Sequence, residues 1–188
     1  MKTIILKSAA VLLLIISVAF TTTETKIVDI TKSSIQWVGH KVTGQHEGTI
    51  TLQEGTLEFN ANQLTGGNFV MDMTTINTTD LQGEYKNKLD GHLKADDFFG
   101  VETYKTASLI FTSVTKNGET YSVTGDLTIK NITNEITFEL AVAENTASTT
   151  FQVDRTKYGI KYGSASFFDG LKDKAIYNEF DLTVSLKF

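Results

Sequence analysis

The chain has 188 residues, 40% hydrophobic and 21% charged, the balance of one ordinary globular domain rather than of a disordered or collagen-like chain. Its 17 basic and 22 acidic residues give a net charge of −5, which offers no general electrostatic pull toward nucleic acid or anionic lipid. With no Cys and no Pro, the sequence excludes disulfides, thiol catalysis and thiolate metal sites, and leaves every residue a backbone donor for a sheet.

Lys2 and Lys7 precede an uncharged apolar run over residues 8–20, the layout of a secretory signal peptide. Small side chains at Ser17 and Ala19 place a cleavage site after Ala19, so residues 1–19 are expected to be removed and 20–188 to form a single domain. Losing two lysines leaves 15 basic and 22 acidic residues, a charge of −7. A Cys-free exported chain suits a bacterial envelope, which makes the expected location periplasmic or secreted. The glycosylation-like triplets at Asn77 and Asn131 are short enough to be incidental.

Alternation with period two then dominates, the mark of strands with one wet face. Candidate strands fall at residues 35–38, 48–52 and 56–59, followed by Phe69, Met71 and Met73 alternating with Asp72 and Thr74. The pattern stops over residues 79–99, where Leu81, Tyr85, Leu89 and Leu93 recur every four residues as on one face of a helix. Thr79 or Asp80 is the expected cap, and Gly83 and Gly91 limit the helix to two or three turns, with a break near Gly91. Strands over 108–114 and 121–129 flank Lys116-Asn117-Gly118, a hairpin signal because Asn and Gly tolerate positive φ. Ile136, Phe138, Leu140 and Val142 alternate with Glu135, Thr137 and Glu139, and a further strand covers 149–153. The last segment is the clearest, with Phe180, Leu182, Val184, Leu186 and Phe188 on one face and Asp181, Thr183, Ser185 and Lys187 on the other. So many short strands joined by Gly and Asn turns predict an antiparallel sandwich or barrel.

Little in the chain has the spacing of a reactive site. His40, His46 and His92 lack metal-ligand spacing, so no metal is expected. Asp96 with Asp97, or Asp169 with Asp173, could serve as acid–base pairs, but short carboxylates beside Gly and Phe routinely cap turns. The four lysines from Lys157 to Lys174 interleave with Tyr158, Tyr162, Phe167 and Phe168, and the acidic total favours a solvated loop over nucleotide stacking. No phosphate-binding Gly loop and no G-x-S-x-G elbow is present. Arg155, the single arginine, stands beside Asp154 either as a structural ion pair or as a ligand contact. Twelve Phe, six Tyr and one Trp fill a core or line a cavity for a long apolar molecule; both are chemically adequate.

Four stretches together resemble the YceI-like family of secreted, lipocalin-like polyisoprenoid-binding proteins. They are Ser34-Ile35-Gln36-Trp37-Val38-Gly39, His92-Leu93-Lys94-Ala95-Asp96-Asp97-Phe98-Phe99, the run from Tyr121 to Thr133, and Arg155-Thr156-Lys157-Tyr158-Gly159-Ile160. The likeness runs from about Ile27 to Phe188, and departs at the helix, where Lys-Leu-Asp-Gly precedes His92 in place of the Arg-Asp pair of many members. The resemblance implies an all-β, eight-stranded antiparallel lipocalin-like barrel with one short helical segment after the fourth strand region. It further implies no catalytic reaction and no cofactor beyond a bound isoprenoid lipid, polyprenyl or quinone-type, held for carriage, storage or stress protection. Inward parity and the resemblance together put Trp37, Phe69, Met71, Met73, Phe111 and Phe138 against that ligand, and Phe98, Phe99, Arg155, Phe167 and Phe168 are expected to join them. Monomer and homodimer both stay open.

The main rival is a small outer-membrane β-barrel, since alternation alone does not say which face points inward and the chain ends on Phe188 as such barrels do. An envelope hydrolase is a third class, disfavoured because no nucleophile and base converge.

Overall fold

The computed structural model describes residues 22–188; the expected leader and its cleavage site lie outside the described residues. Alternating segments become strands β1 (Thr23–Ile27), β2 (Ser34–Lys41), β3 (Gly44–Asn60), β4 (Gln63–Thr78), β5 (Thr106–Asn117), β6 (Thr120–Ile129), β7 (Ile132–Ala143), β8 (Thr146–Asp154) and β9 (Ile176–Lys187). Helix α1 (Gly83–Lys94) interrupts them between β4 and β5, and a one-turn 3-10 helix (Arg155–Tyr158) follows β8.

Every pairing is antiparallel. The run β2 to β9 closes on itself because β2 pairs with both β3 and β9 and β3 pairs with β4, which makes the expected eight-stranded barrel. The ninth strand, β1, has no counterpart in the sequence reading. It extends the wall where β2 ends, pairing Thr23 to Ile27 with Asn60 to Thr56 of β3.

The two candidates at 48–52 and 56–59 are one 17-residue strand. Buried positions fall at Gly48 and Leu52, then shift by one to Gly55, Leu57 and Phe59. A β-bulge between Leu52 and Glu54 absorbs the shift, so the alternation loses phase while the strand continues. The hairpin at Gly118 is present, with φ of 60° at that glycine. Ala61-Asn62 and Lys130-Asn131 turn two more hairpins with positive φ at both residues, the twist that matches right-handed strands.

The helix also departs from expectation. It runs unbroken through Gly91, and its N-cap is Gln82, with no side-chain cap bond. Asp80 instead accepts from the Glu47 backbone N–H and holds His46 at 2.8 Å, while Thr79 donates to the Glu47 carbonyl. Gly91 survives inside the helix because its exposed position asks nothing of a side chain, and α1 is held by packing at its C-terminal half. Leu93 is buried and Leu89 half-buried, whereas Tyr85 stands in solvent.

The two long connections, the α1 crossover and the loop of residues 155–175, lie at one end of the barrel with the tight β2–β3 and β6–β7 turns. That end is packed by Trp37, Met73, Ile76, Leu93, Phe98 and Phe99 with their neighbours; Leu57, Phe59, Leu64, Tyr121, Val123 and Leu186 fill the other.

Candidate functional site

Between those two clusters lies a cavity of about 160 Å³ for the centre of a water-sized molecule, within about 1250 Å³ of empty space that includes the open mouth. Its wall is apolar, drawn from alternate residues of β2 to β9. On β9, Phe180, Leu182, Val184 and Leu186 line the lumen while Thr183, Ser185 and Lys187 face out. Thr150 with Thr183, Thr124 with Thr137 and Thr128 with Thr133 pair their hydroxyls across strands on the outer surface. The apolar face is therefore inside and the hydroxyl-rich face outside, opposite to the arrangement a lipid-facing membrane barrel needs. That orientation argues against the outer-membrane alternative.

Four phenylalanines form a band across the lumen. Phe69 meets Phe111 at 5.4 Å between ring centroids, Phe111 meets Phe138 at 5.9 Å, and Phe138 stacks on Phe151 at 4.7 Å. Trp37 lies in the wall with its indole N–H donating to the Thr49 carbonyl at 3.3 Å. Its ring fills the space over Gly48, where a Cβ would stand 2.4 Å from the indole and 2.0 Å from the Asn77 carbonyl oxygen, so no other residue fits there.

The lumen's polar lining sits at the helix end, except for Thr149 on β8: His40, Arg155, Tyr177 and Glu179. Arg155 is 2% exposed and donates to three backbone carbonyls, Nε to Tyr177 at 3.1 Å, Nη1 to Ile160 at 2.8 Å and Nη2 to Ile176 at 3.1 Å. Its guanidinium lies 5.6 Å from the Phe98 ring centroid. Burial pulls its pKa down from the ordinary value, and the charges of Asp154 and Glu179 push the other way. The expected ion pair with Asp154 is not what holds it. Asp154 caps the 3-10 helix instead, accepting from the Thr156 N–H and hydroxyl. Tyr158 is 1% exposed with no hydrogen-bond partner for its hydroxyl, and burial pushes its pKa up to about 12. At the same end His40 Nε2 lies 2.7 Å from Asp181, whose other oxygen accepts from Gln152 at 2.8 Å; those two bonds lower the Asp181 pKa.

Helix α1 feeds the mouth. Where it ends, the Phe98, Phe99 and Val101 amides donate back to Ala95, Leu93 and Lys94, folding the chain inward and dropping both phenylalanines into the lumen. Lys130 clamps this turn by donating to the Asp96 and Phe98 carbonyls, each at 2.8 Å.

Of the eleven expected ligand contacts, Trp37, Phe69, Met71, Met73, Phe98, Phe99, Phe111, Phe138 and Arg155 line the cavity together. Phe167 and Phe168 are outside that lining, half-exposed on the 155–175 loop. The sequence reading did not single out Phe151, Ile50, His40 or Tyr177 as lining. Phe151 was within reach, since it shares the parity of Val153 in a recognised strand; His40 and Tyr177 lie at strand ends, where parity no longer fixes direction.

The sequence pattern of the YceI-like domain family matches residues 27–188. A UPF0312 protein of Staphylococcus aureus is 39% identical over 87 residues, 40% of this chain and 48% of that protein. Protein YceI of Escherichia coli is 38% identical over 65 residues, 35% of this chain and 34% of that protein. The chain thus spans about half or less of the curated relatives it matches. Among solved structures, Burkholderia cenocepacia BcnA superposes with a TM-score of 0.67 at 20% identity, covering 85% of this chain and 98% of that one. A polyisoprenoid binding domain from Saccharophagus degradans, implicated in plant cell wall breakdown, superposes with a TM-score of 0.59 at 12% identity, covering 88% and 97%. At those identities the likeness establishes the shared barrel.

Proposed function

The chain belongs to the YceI-like domain family, and from that membership we propose that it is an exported, non-enzymatic binding protein that holds a long isoprenoid lipid in its barrel. One observation carries the reading: the lumen is continuous and apolar, and nearly all its polar lining lies at one end. A long hydrocarbon with a single polar terminus matches such a container, its chain along the Phe band and its head toward Arg155 and Tyr177. The Saccharophagus neighbour, described as a polyisoprenoid binding domain, supports the ligand class. Export rests on the basic, apolar, small-residue order of residues 1–19, which supports a periplasmic or secreted location. A binder without chemistry of its own fits how the polar groups are engaged: Asp181 is held by His40 and Gln152, Asp80 by His46, and Arg155 by three carbonyls.

Trp37 supplies the test, being the single tryptophan and part of the lumen wall. Adding a polyprenol to delipidated protein is expected to change its emission saturably, and Phe138→Leu to weaken that response by opening a gap in the band. An emission that ignores polyprenols and isoprenoid quinones alike would sink the proposal.

A further inference from the structure

We propose that the rim around the open mouth is a docking surface for an anionic phospholipid bilayer. The proposal rests on the carrier reading, because it supplies the place where a lipid enters and leaves. Tyr177 is 54% exposed, Phe168 and Val42 51%, and Phe167 and Tyr162 47%. Elsewhere large apolar side chains such as Ile27 and Ile110 stand singly on strands, which is ordinary for a protein surface. The rim residues come from segments far apart in sequence that the fold stitches together. The Val42 amide donates to the Ala175 carbonyl, and the Ile176 amide donates to the Gly163 carbonyl at 2.8 Å. Tyr162 meets His92 of α1 at 4.4 Å between centroids.

Nor is the exposure a sign of loose chain. Ser164 is fully buried, donates to the Asn178 side chain at 2.6 Å and receives the Phe168 amide on its carbonyl, while Asn178 donates to Ser166 at 2.9 Å. With Arg155 holding Ile160, Ile176 and Tyr177 from below, the loop is pinned with its aromatic side chains turned to water. Folding gains nothing from that arrangement; a surface that covers those rings would.

Charge identifies the surface. Arg155 is buried, but the loop of residues 156–175 exposes four lysines, Lys157, Lys161, Lys172 and Lys174, against two aspartates, Asp169 and Asp173, in a chain whose net charge is −5, so the segment that exposes the apolar groups is locally basic. Lys161 lies with its Nζ 4.7 Å from the Phe167 ring centroid, a cation beside a ring as at a headgroup boundary. Apolar tips with lysines behind them suit a bilayer bearing negative headgroups, where rings enter the acyl boundary and ammonium groups stay among phosphates. Ile176 and Tyr177 belong both to this rim and to the lumen wall, so a bilayer seated there meets the mouth directly.

The test is co-sedimentation of the purified protein with vesicles of phosphatidylglycerol and phosphatidylcholine, against phosphatidylcholine alone. Binding is expected to the anionic vesicles, and to weaken as salt rises to about 0.5 M and shortens the reach of charge. The double variant Phe167→Ser with Phe168→Ser should lose about tenfold or more in partition, and Lys161→Gln with Lys174→Gln about tenfold. Both pairs are exposed, so melting temperatures should match the parent. Absence of binding to anionic vesicles, or partition unchanged in both double variants, overturns the docking surface. The Trp37 titration on the same samples separates this from the carrier reading. Polyprenol binding retained in solution while vesicle binding fails condemns the rim alone; vesicle binding with a lumen that takes no isoprenoid condemns the carrier.

Discussion

Arg155 is the residue on which the mouth's geometry turns. Its planar fork satisfies three carbonyls that come from two sides of the 155–175 loop, and an ammonium on a flexible stem cannot reach all three in those directions. Hydrogen bonds to a charged group contribute about 1.5–3 kcal/mol each, so Arg155→Lys is expected to cost about 2–4 kcal/mol and lower the melting temperature by several degrees. Unchanged melting would contradict the clamp. Asp181 makes a second prediction. Hydrogen bonds from His40 and Gln152 lower its pKa, so the stability it adds is full above the ordinary carboxylate range and is lost as pH falls through its folded value. Asp90 behaves alike, since bonds from Lys86 and Thr78 outweigh the upward push of burial. Melting temperature should therefore drop below about pH 4, and Asp181→Asn should remove part of that pH dependence. A variant with the parent's full acid slope would show the pair to be idle. At this scale the sequence was only partly legible. Parity picked out Trp37 and Phe138 correctly as lumen residues, but adjacency suggested an Arg155–Asp154 pair that three distant carbonyls displace.

Strands were the most legible elements where the alternation keeps phase. From Phe180 onward β9 reads without error because its inward and outward sets no longer exchange, whereas β3 reads as two strands because its bulge moves the inward set by one residue. β1 was missed because five residues paired only at their edge to β3 carry almost no burial pattern. The helix was placed correctly and capped wrongly, since Asp80 spends its carboxylate on His46 and the Glu47 amide. The motifs that carry the family resemblance fix close packing at the mouth and along the wall. One drops Phe98 and Phe99 into the lumen, and another puts Gly125 where a Cβ would lie 2.9 Å from the Ile110 carbonyl oxygen. Two substitutions on β9 test the facing directly: Thr183→Lys should leave expression and melting near the parent, and Leu182→Lys should abolish folding by burying an unpaired ammonium. The reverse outcome would mean that the apolar face looks out. Leu93→Ala, which empties the contact between α1 and the barrel end, should cost about 2–5 kcal/mol by chemical denaturation.

For the whole molecule, an apolar interior and a hydroxyl-rich exterior predict that residues 20–188 fold in water without detergent into a β-rich protein. Recovery only from membranes or only in detergent would favour the reversed barrel. At the helix end of that closed wall, Arg155 fixes the rim, and exposed aromatic and lysine side chains surround it. The central claim is that the lumen is occupied by an isoprenoid, and native mass spectrometry of protein purified from its own cells, followed by organic extraction, tests it most directly. The account predicts a bound mass that the extract identifies as a long-chain isoprenoid and that is lost on delipidation. A protein at its bare polypeptide mass, which then takes up no added polyprenol or isoprenoid quinone, would contradict it.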